Sequence, residues 1–268
     1  MLYQFIVFIL LLCTVSAYAT PIEKVISLNL CADIVLLHLA EPEQQLSLTF
    51  LTQEMSSYVT FPSSVQFNRG LVEEVIVFKP DLVLAHTFTS SLLLQNLKQL
   101  NLPVVKLKAA QNMDDIYQNL MDVGEAIHKT QQAKKIITQM QKTLTQLPQF
   151  QQQSVLLFYP NGFTVGQQTL ANHVVTQLGL RNIAEKIGIQ FWGKITLEQV
   201  LQHQPHFIIL SKTESQAPAL ATRLLQHNSL QKQAYIEIDN RLWHCGTPLI
   251  MMAMQEIAQK LMTVSEPQ

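Results

Sequence analysis

The chain has 268 residues, 48% of them hydrophobic and 14% charged, with a formal net charge of −1. That length supplies a core for one large domain or two modest ones. The near-zero charge, with no basic run, argues against nucleic acid as a partner.

In chain order, residues 2–15 are almost wholly apolar, and Ala17-Tyr18-Ala19 forms a small-x-small site. This predicts an export signal over 1–19, cleaved after Ala19. The run is short of the ~20 residues that span a bilayer. No Lys or Arg precedes it, and Leu12 stands before Cys13 where a lipid-attachment signal has a small residue. The mature chain then keeps Cys31 and Cys245. An even count in an oxidising compartment permits one disulfide between the two ends of the chain, or two unrelated thiols.

A strand is expected at 24–28, with Asn29 capping a helix over 32–40 that stops before Pro42. A second strand follows at 45–51, then a polar loop with Tyr58 and Phe61. The stretch 67–85 (FNRGLVEEVIVFKPDLVLA) reads as a short helix over 71–78, a proline stop and a buried strand at 82–85. A proline after Lys79 predicts extended geometry there. A helix over 91–100 and a strand at 103–107 complete a strand–helix alternation, which specifies a parallel sheet.

From Met113 the apolar residues Ile116, Leu120, Val123, Ile127, Ala133, Ile137, Met140, Leu144 and Leu147 follow a helical period. Asn112 can cap the start and Pro148 marks the end. The pattern predicts one long helix over 113–147 bracing two halves; a coiled-coil partner helix, or two helices broken near Lys129, are the alternatives.

The alternation then restarts with a strand at 154–159, a helix over 170–178 and, at 192–210, WGKITLEQVLQHQPHFIIL. This repeats 67–85: Phe67, Glu73 and Pro80 correspond to Trp192, Glu198 and Pro205. Gln204 takes the place of Lys79. Two units, rather than a solenoid array, are implied. A helix over 219–226, a strand at 235–238, a strand running into a loop over 241–246 and a final helix over 248–261 follow. The expected fold is α/β, two Rossmann-like parallel-sheet lobes at 20–112 and 148–268 joined by the helix 113–147.

Ligands of parallel sheets collect beyond the carboxyl ends of the strands. Asn29, Cys31, Phe67, Arg69, His86, Tyr159, Trp192 and Trp243 are candidates there, a set rich in aromatics and poor in carboxylates. It suits a large, flat or conjugated ligand. No dinucleotide fingerprint, phosphate loop or nucleophile elbow is present.

The order of signal, lobe, long helix and second lobe resembles the periplasmic solute-binding proteins of ABC importers for iron complexes and cobalamin. The blocks that carry the resemblance are VISLNLCAD at 25–33, GLVEEVIVFKPDLVLA at 70–85, TLANHVVTQLGLRNIAE at 169–185 and the 192–210 repeat. It implies a periplasmic monomer with no cofactor and no catalysis, holding a cobalamin, ferric siderophore or haem between its lobes. It also implies docking on a membrane permease through Glu73 and Glu198, with Phe67 and Trp192 lining the cleft. His86 departs from the cobalamin-binding member, which has a tryptophan there. The alternative is an exported metal enzyme or chaperone using Cys31, Cys245, His86 and His244.

Overall fold

The computed structural model describes residues 22–151, 153–212 and 234–265. The expected signal at 1–19 and the expected helix at 219–226 lie outside them.

The first sheet is wholly parallel. Its strands are β1 (Lys24–Ser27), β2 (Gln45–Thr49), β3 (Gln66–Asn68), β4 (Leu82–His86) and β5 (Val104–Leu107), in the order β3-β2-β1-β4-β5. Helices α1 (Leu30–Leu39), α2 (Val72–Phe78) and α3 (Ser91–Gln99) are its crossovers. In the second lobe β6 (Ser154–Phe158), β8 (Arg181–Asn182), β10 (Phe207–Lys212) and β11 (Ala234–Asp239) form a parallel sheet in the order β11-β10-β6-β8. An antiparallel pair, β7 (Phe163–Val165) with β9 (Trp192–Lys194), stands beside it. Helices α6 (Leu170–Gln177), α7 (Ile183–Lys186), α8 (Leu197–His203) and α9 (Ile250–Ser265) complete the lobe.

Between the sheets, the expected single helix is two: α4 (Met113–Ala126) and α5 (Thr130–Gln146). His128 takes a φ of 59°, and the Lys129 amide donates back to the Gly124 carbonyl, which closes α4. Gly124 lies so near α5 that a Cβ there would meet the Ala133 Cβ at 2.7 Å. Lys129 pairs with Glu41, and the Gln132 side chain donates to the His38 carbonyl at 2.9 Å, so α1 holds the break in place.

The repeat is reproduced residue by residue. Lys79 and Gln204 both end their helices in the left-handed region, at φ 52° and 40°, with amides donating to Val75 and Val200. This corrects the extended geometry expected before each proline. The left-handed cap satisfies a helix carbonyl and still avoids the right-handed conformation that proline forbids.

One buried cluster runs through both lobes. It joins Val25, Leu36 and Leu46 to Leu120, Val123, Ala133 and Met140, and these to Val155, Ile209 and Ile257. Two smaller clusters sit on the outer faces, around Val75 and Leu97 in one lobe and around Val200 and Ile208 in the other. The lobes therefore share their largest apolar core through α4 and α5.

Candidate ligand cleft

Chain segments cross between the lobes where the carboxyl ends of the two sheets meet. After β2 the chain makes a 3-10 turn, Phe50–Met55, and continues to Tyr58. The Tyr58 hydroxyl donates to Asp239 at the end of β11 at 2.7 Å. Arg241 donates to the Glu54 carbonyl at 2.9 Å and lies over the Tyr58 ring at 5.2 Å. Cys31, at the start of α1, is joined to Cys245 by a disulfide with Cα atoms 5.2 Å apart. At Gly246 a Cβ would meet that of Ala110 at 2.2 Å, so only glycine admits this approach. All four crossings use the one segment 239–246.

That segment was expected to hold a strand running into a loop over 241–246. It is instead a 3-10 turn, Asn240–Leu242, followed by a loop. The Asp239 carboxylate accepts from the Arg241 amide and guanidinium, and this bends the chain away from β11. Burial raises the Asp239 pKa, but the bonds from Arg241 and Tyr58 outweigh it and hold the carboxyl below its ordinary range.

A buried acid supports the opposite side of the seam. Asp33 accepts from the Thr49 amide at 3.0 Å and from the hydroxyls of Thr49 and Thr52, so it fixes the turn that carries Glu54 and Tyr58. Burial pushes its carboxyl up to about 7 against the bonds from Ser27, Thr49 and Thr52. In the sequence only its place in the first turn of a capped helix hinted at it.

The candidate residues separate clearly. Asn29 caps α1, its side chain accepting from the Cys31 amide at 2.9 Å. Cys31 has no thiol to offer a ligand. Phe67 sits on the edge strand β3, edge-on to Phe61 at 5.8 Å, and Arg69 is exposed beside it. Tyr159 follows β6 and meets Trp192 edge-to-face at 4.9 Å; Trp192 is 61% exposed. Burial raises the Tyr159 phenol pKa, against a hydroxyl bond with Ser211. Glu73 and Glu198 stand exposed on α2 and α8.

Two candidates do not face outward. Trp243, 2% exposed, is in the shared core. The turn at 240–242 rotates it inward, whereas continued strand geometry would have kept it near the cleft. His86 is buried at the end of β4, with its Nδ1 towards the Phe88 amide at 3.4 Å. Burial lowers its pKa, the Lys108 carbonyl opposes this, and the Lys106 charge adds to it. The ring exposed there is Phe88, 77% accessible and tilted on the His86 imidazole at 5.2 Å. His86 is a post for that turn.

The metal-centre alternative loses two of its four donors to the disulfide. Among the described residues no three His, Cys, Asp or Glu side chains are grouped to hold a metal ion.

The profile of the periplasmic binding protein family matches residues 25–237. The vitamin B12-binding protein of Pectobacterium carotovorum subsp. carotovorum (strain PC1) is 25% identical over 265 residues, 96% of this chain and 94% of that protein. An uncharacterized ABC transporter substrate-binding lipoprotein of Bacillus subtilis (strain 168), YvrC, is 23% identical over 205 residues, 71% of this chain and 64% of that protein. Two solved structures share the fold. The periplasmic heme-binding protein RhuT from Roseiflexus sp. RS-1 has a TM-score of 0.74 at 16% identity, over 91% of this chain and 99% of that one. The periplasmic vitamin B12 binding protein BtuF of Vibrio cholerae has a TM-score of 0.69 at 19% identity, over 92% and 99%.

Proposed function

This chain belongs to the periplasmic binding protein family, and from that premise we propose that it captures a metal chelate between its lobes and delivers it to an ABC permease. The ligand class is a corrinoid, a haem or a ferric siderophore; its relatives and structural neighbours are named for vitamin B12, heme and iron. Export with cleavage after Ala19, and action as a monomer, belong to the same reading.

The observation that carries the ligand class is the exposed aromatic surface. Trp192 on Tyr159 serves one lobe, and Phe88, with Phe67, serves the other. Such rings bury large conjugated surfaces at little entropic cost. Arg69 beside Phe67 and Lys194 two places from Trp192 are exposed cations that can meet an acidic group at the edge of such a ligand. Glu73 and Glu198, at matching places on α2 and α8, are read as the permease-docking pair.

The two tryptophans make the test clean, since one is exposed and one is buried. Cyanocobalamin, hemin and a ferric siderophore are each titrated into the protein and into Trp192→Phe. Quenching by one of the three in the wild type, and its loss in Trp192→Phe, is the expected result. No response to any of them rejects the ligand class. Glu73→Ala and Glu198→Ala are expected to leave that quenching unchanged while lowering transport.

A further inference from the structure

The two docking helices are built alike and finished differently. In both, a residue at the helix start is followed two places on by the outward glutamate and three places on by a cap partner. In α8 the partner is Gln199, bonded to Thr196 in both directions. In α2 it is Glu74, which accepts from the amides of Leu71 and Arg69 at 3.0 and 2.8 Å, while Leu71 has no side-chain acceptor to return the bond. Glu74 is thus used inside the lobe, and Glu73 makes no hydrogen bond or ion pair among the described residues.

Residues three and four places after the glutamate share its helix face. On α2 these are Ile76 and Val77, 50% and 81% exposed, with Leu71 at the helix start 52% exposed. On α8 the same places hold Leu201, half-buried in the outer core, and Gln202, with Thr196 at the start. The outward face is therefore apolar around the glutamate in one lobe and polar in the other. A groove of about 490 Å³ runs beside α2, with Glu73, Val77 and Phe78 among its walls. Exposed apolar side chains grouped around a free carboxylate mark a protein-contact face.

We infer that the lobes grip the permease unequally: α2 is the anchor, seating Ile76 and Val77 in an apolar hollow beside the cation that meets Glu73. The α8 contact is polar, made by Glu198 and Gln202. This rests on reading Glu73 and Glu198 as the docking pair. Desolvation of Val77 and Ile76 supplies binding that salt does not screen, whereas the glutamate contacts weaken as ionic strength rises.

The residues of one lobe provide the test for the other. Val77→Gln and Leu71→Thr give α2 the surface of α8, and Gln202→Val does the reverse. Leu71→Thr also completes the helix cap, so the exchanged helix stays folded. Docking of the ligand-free protein is measured on the importer whose transport it supports, reconstituted in lipid nanodiscs, at low and high salt. Val77→Gln is expected to weaken docking about tenfold and leave the residue more salt-sensitive. Gln202→Val is expected to change it less than about twofold. Should Glu73→Ala and Glu198→Ala weaken docking while Val77→Gln does not, the docking pair stands and the anchor is rejected. Should neither glutamate matter, the docking pair itself is rejected. If Val77→Gln instead removes self-association seen by sedimentation and leaves docking intact, the face joins two copies of the chain and the anchor is likewise rejected.

Discussion

The two lobes start from one local plan and diverge in what they contribute. Each has a capped short helix, a left-handed stop, a proline and a buried central strand. The first lobe adds a buried acid, Asp33, and the turn that reaches across to its partner. The second lobe adds the Tyr159–Trp192 pair and the segment 239–246 that receives Tyr58, the Glu54 turn and the disulfide. Repeated backbone sets where side chains stand, and the lobe-specific residues at those places decide whether a position holds, binds or docks. The lobes are also joined covalently, through the shared core and across a polar seam, and these attachments differ in strength.

The covalent one is the largest. The Cys31–Cys245 bridge closes a loop with a sequence separation of 214. In the chain-entropy account such a closure contributes at most about 5.4 kcal/mol. Cys31→Ser with Cys245→Ser should lower the urea midpoint accordingly. The transition should remain single, because the core through α4 and α5 still couples the lobes. Two separated transitions would show instead that the bridge alone makes them one unit.

The next effect is smaller and confined to the first lobe. Asp33 binds its proton more tightly folded than unfolded, with a pKa of about 7 against 3.8. Its contribution is therefore complete below pH 4 and lost as pH rises through 7. Asp33→Asn should remove that dependence, so the stability difference between variant and wild type shifts by roughly 2–4 kcal/mol between pH 4 and 8. The difference is the quantity to follow, since burial lowers the pKa of His38, His86 and His173, and these weaken the wild type as pH falls. A flat difference across that range would place Asp33 as an ordinary ionised carboxylate.

The parts of this architecture that depend on local pattern were legible in the sequence. Proline stops, apolar strand runs and the repeat located β1, β2, β4, β5, β6, β10 and β11 and the helices α2 and α8, but not the short edge strands β3 and β8. The break between α4 and α5 was also written there, as the wide step from Ile127 to Ala133 in an otherwise regular stripe, and the alternative of two helices broken near Lys129 is the one the structure takes. What stayed hidden depends on contacts between distant residues. Trp243 looked like a cleft residue because nothing local shows that Asp239 turns the chain inward through Arg241. His86 looked like a ligand residue because its burial, and the exposure of Phe88 two places on, follow from how the end of β4 packs.

The polar seam is the weakest attachment. Tyr58→Phe removes a single hydrogen bond to an ionised carboxylate and keeps the ring under Arg241. The pair is only partly buried, so solvent screening limits the loss to about 1 kcal/mol. The linkage has the opposite sign to that of Asp33. Asp239 titrates below its ordinary range when folded, so its contribution is present above pH 4 and lost as pH falls through the folded value. The Tyr58→Phe deficit should therefore be visible at pH 7 and shrink as pH falls below 4 in urea titrations. In the same variant the Asp33-dependent slope between pH 4 and 7 should be unchanged, because Thr49 and Thr52, not Tyr58, hold that carboxyl. If Tyr58→Phe also flattens that slope, the acid and the seam form one coupled network, and the first lobe's buried carboxyl reports directly on how firmly the second lobe is held.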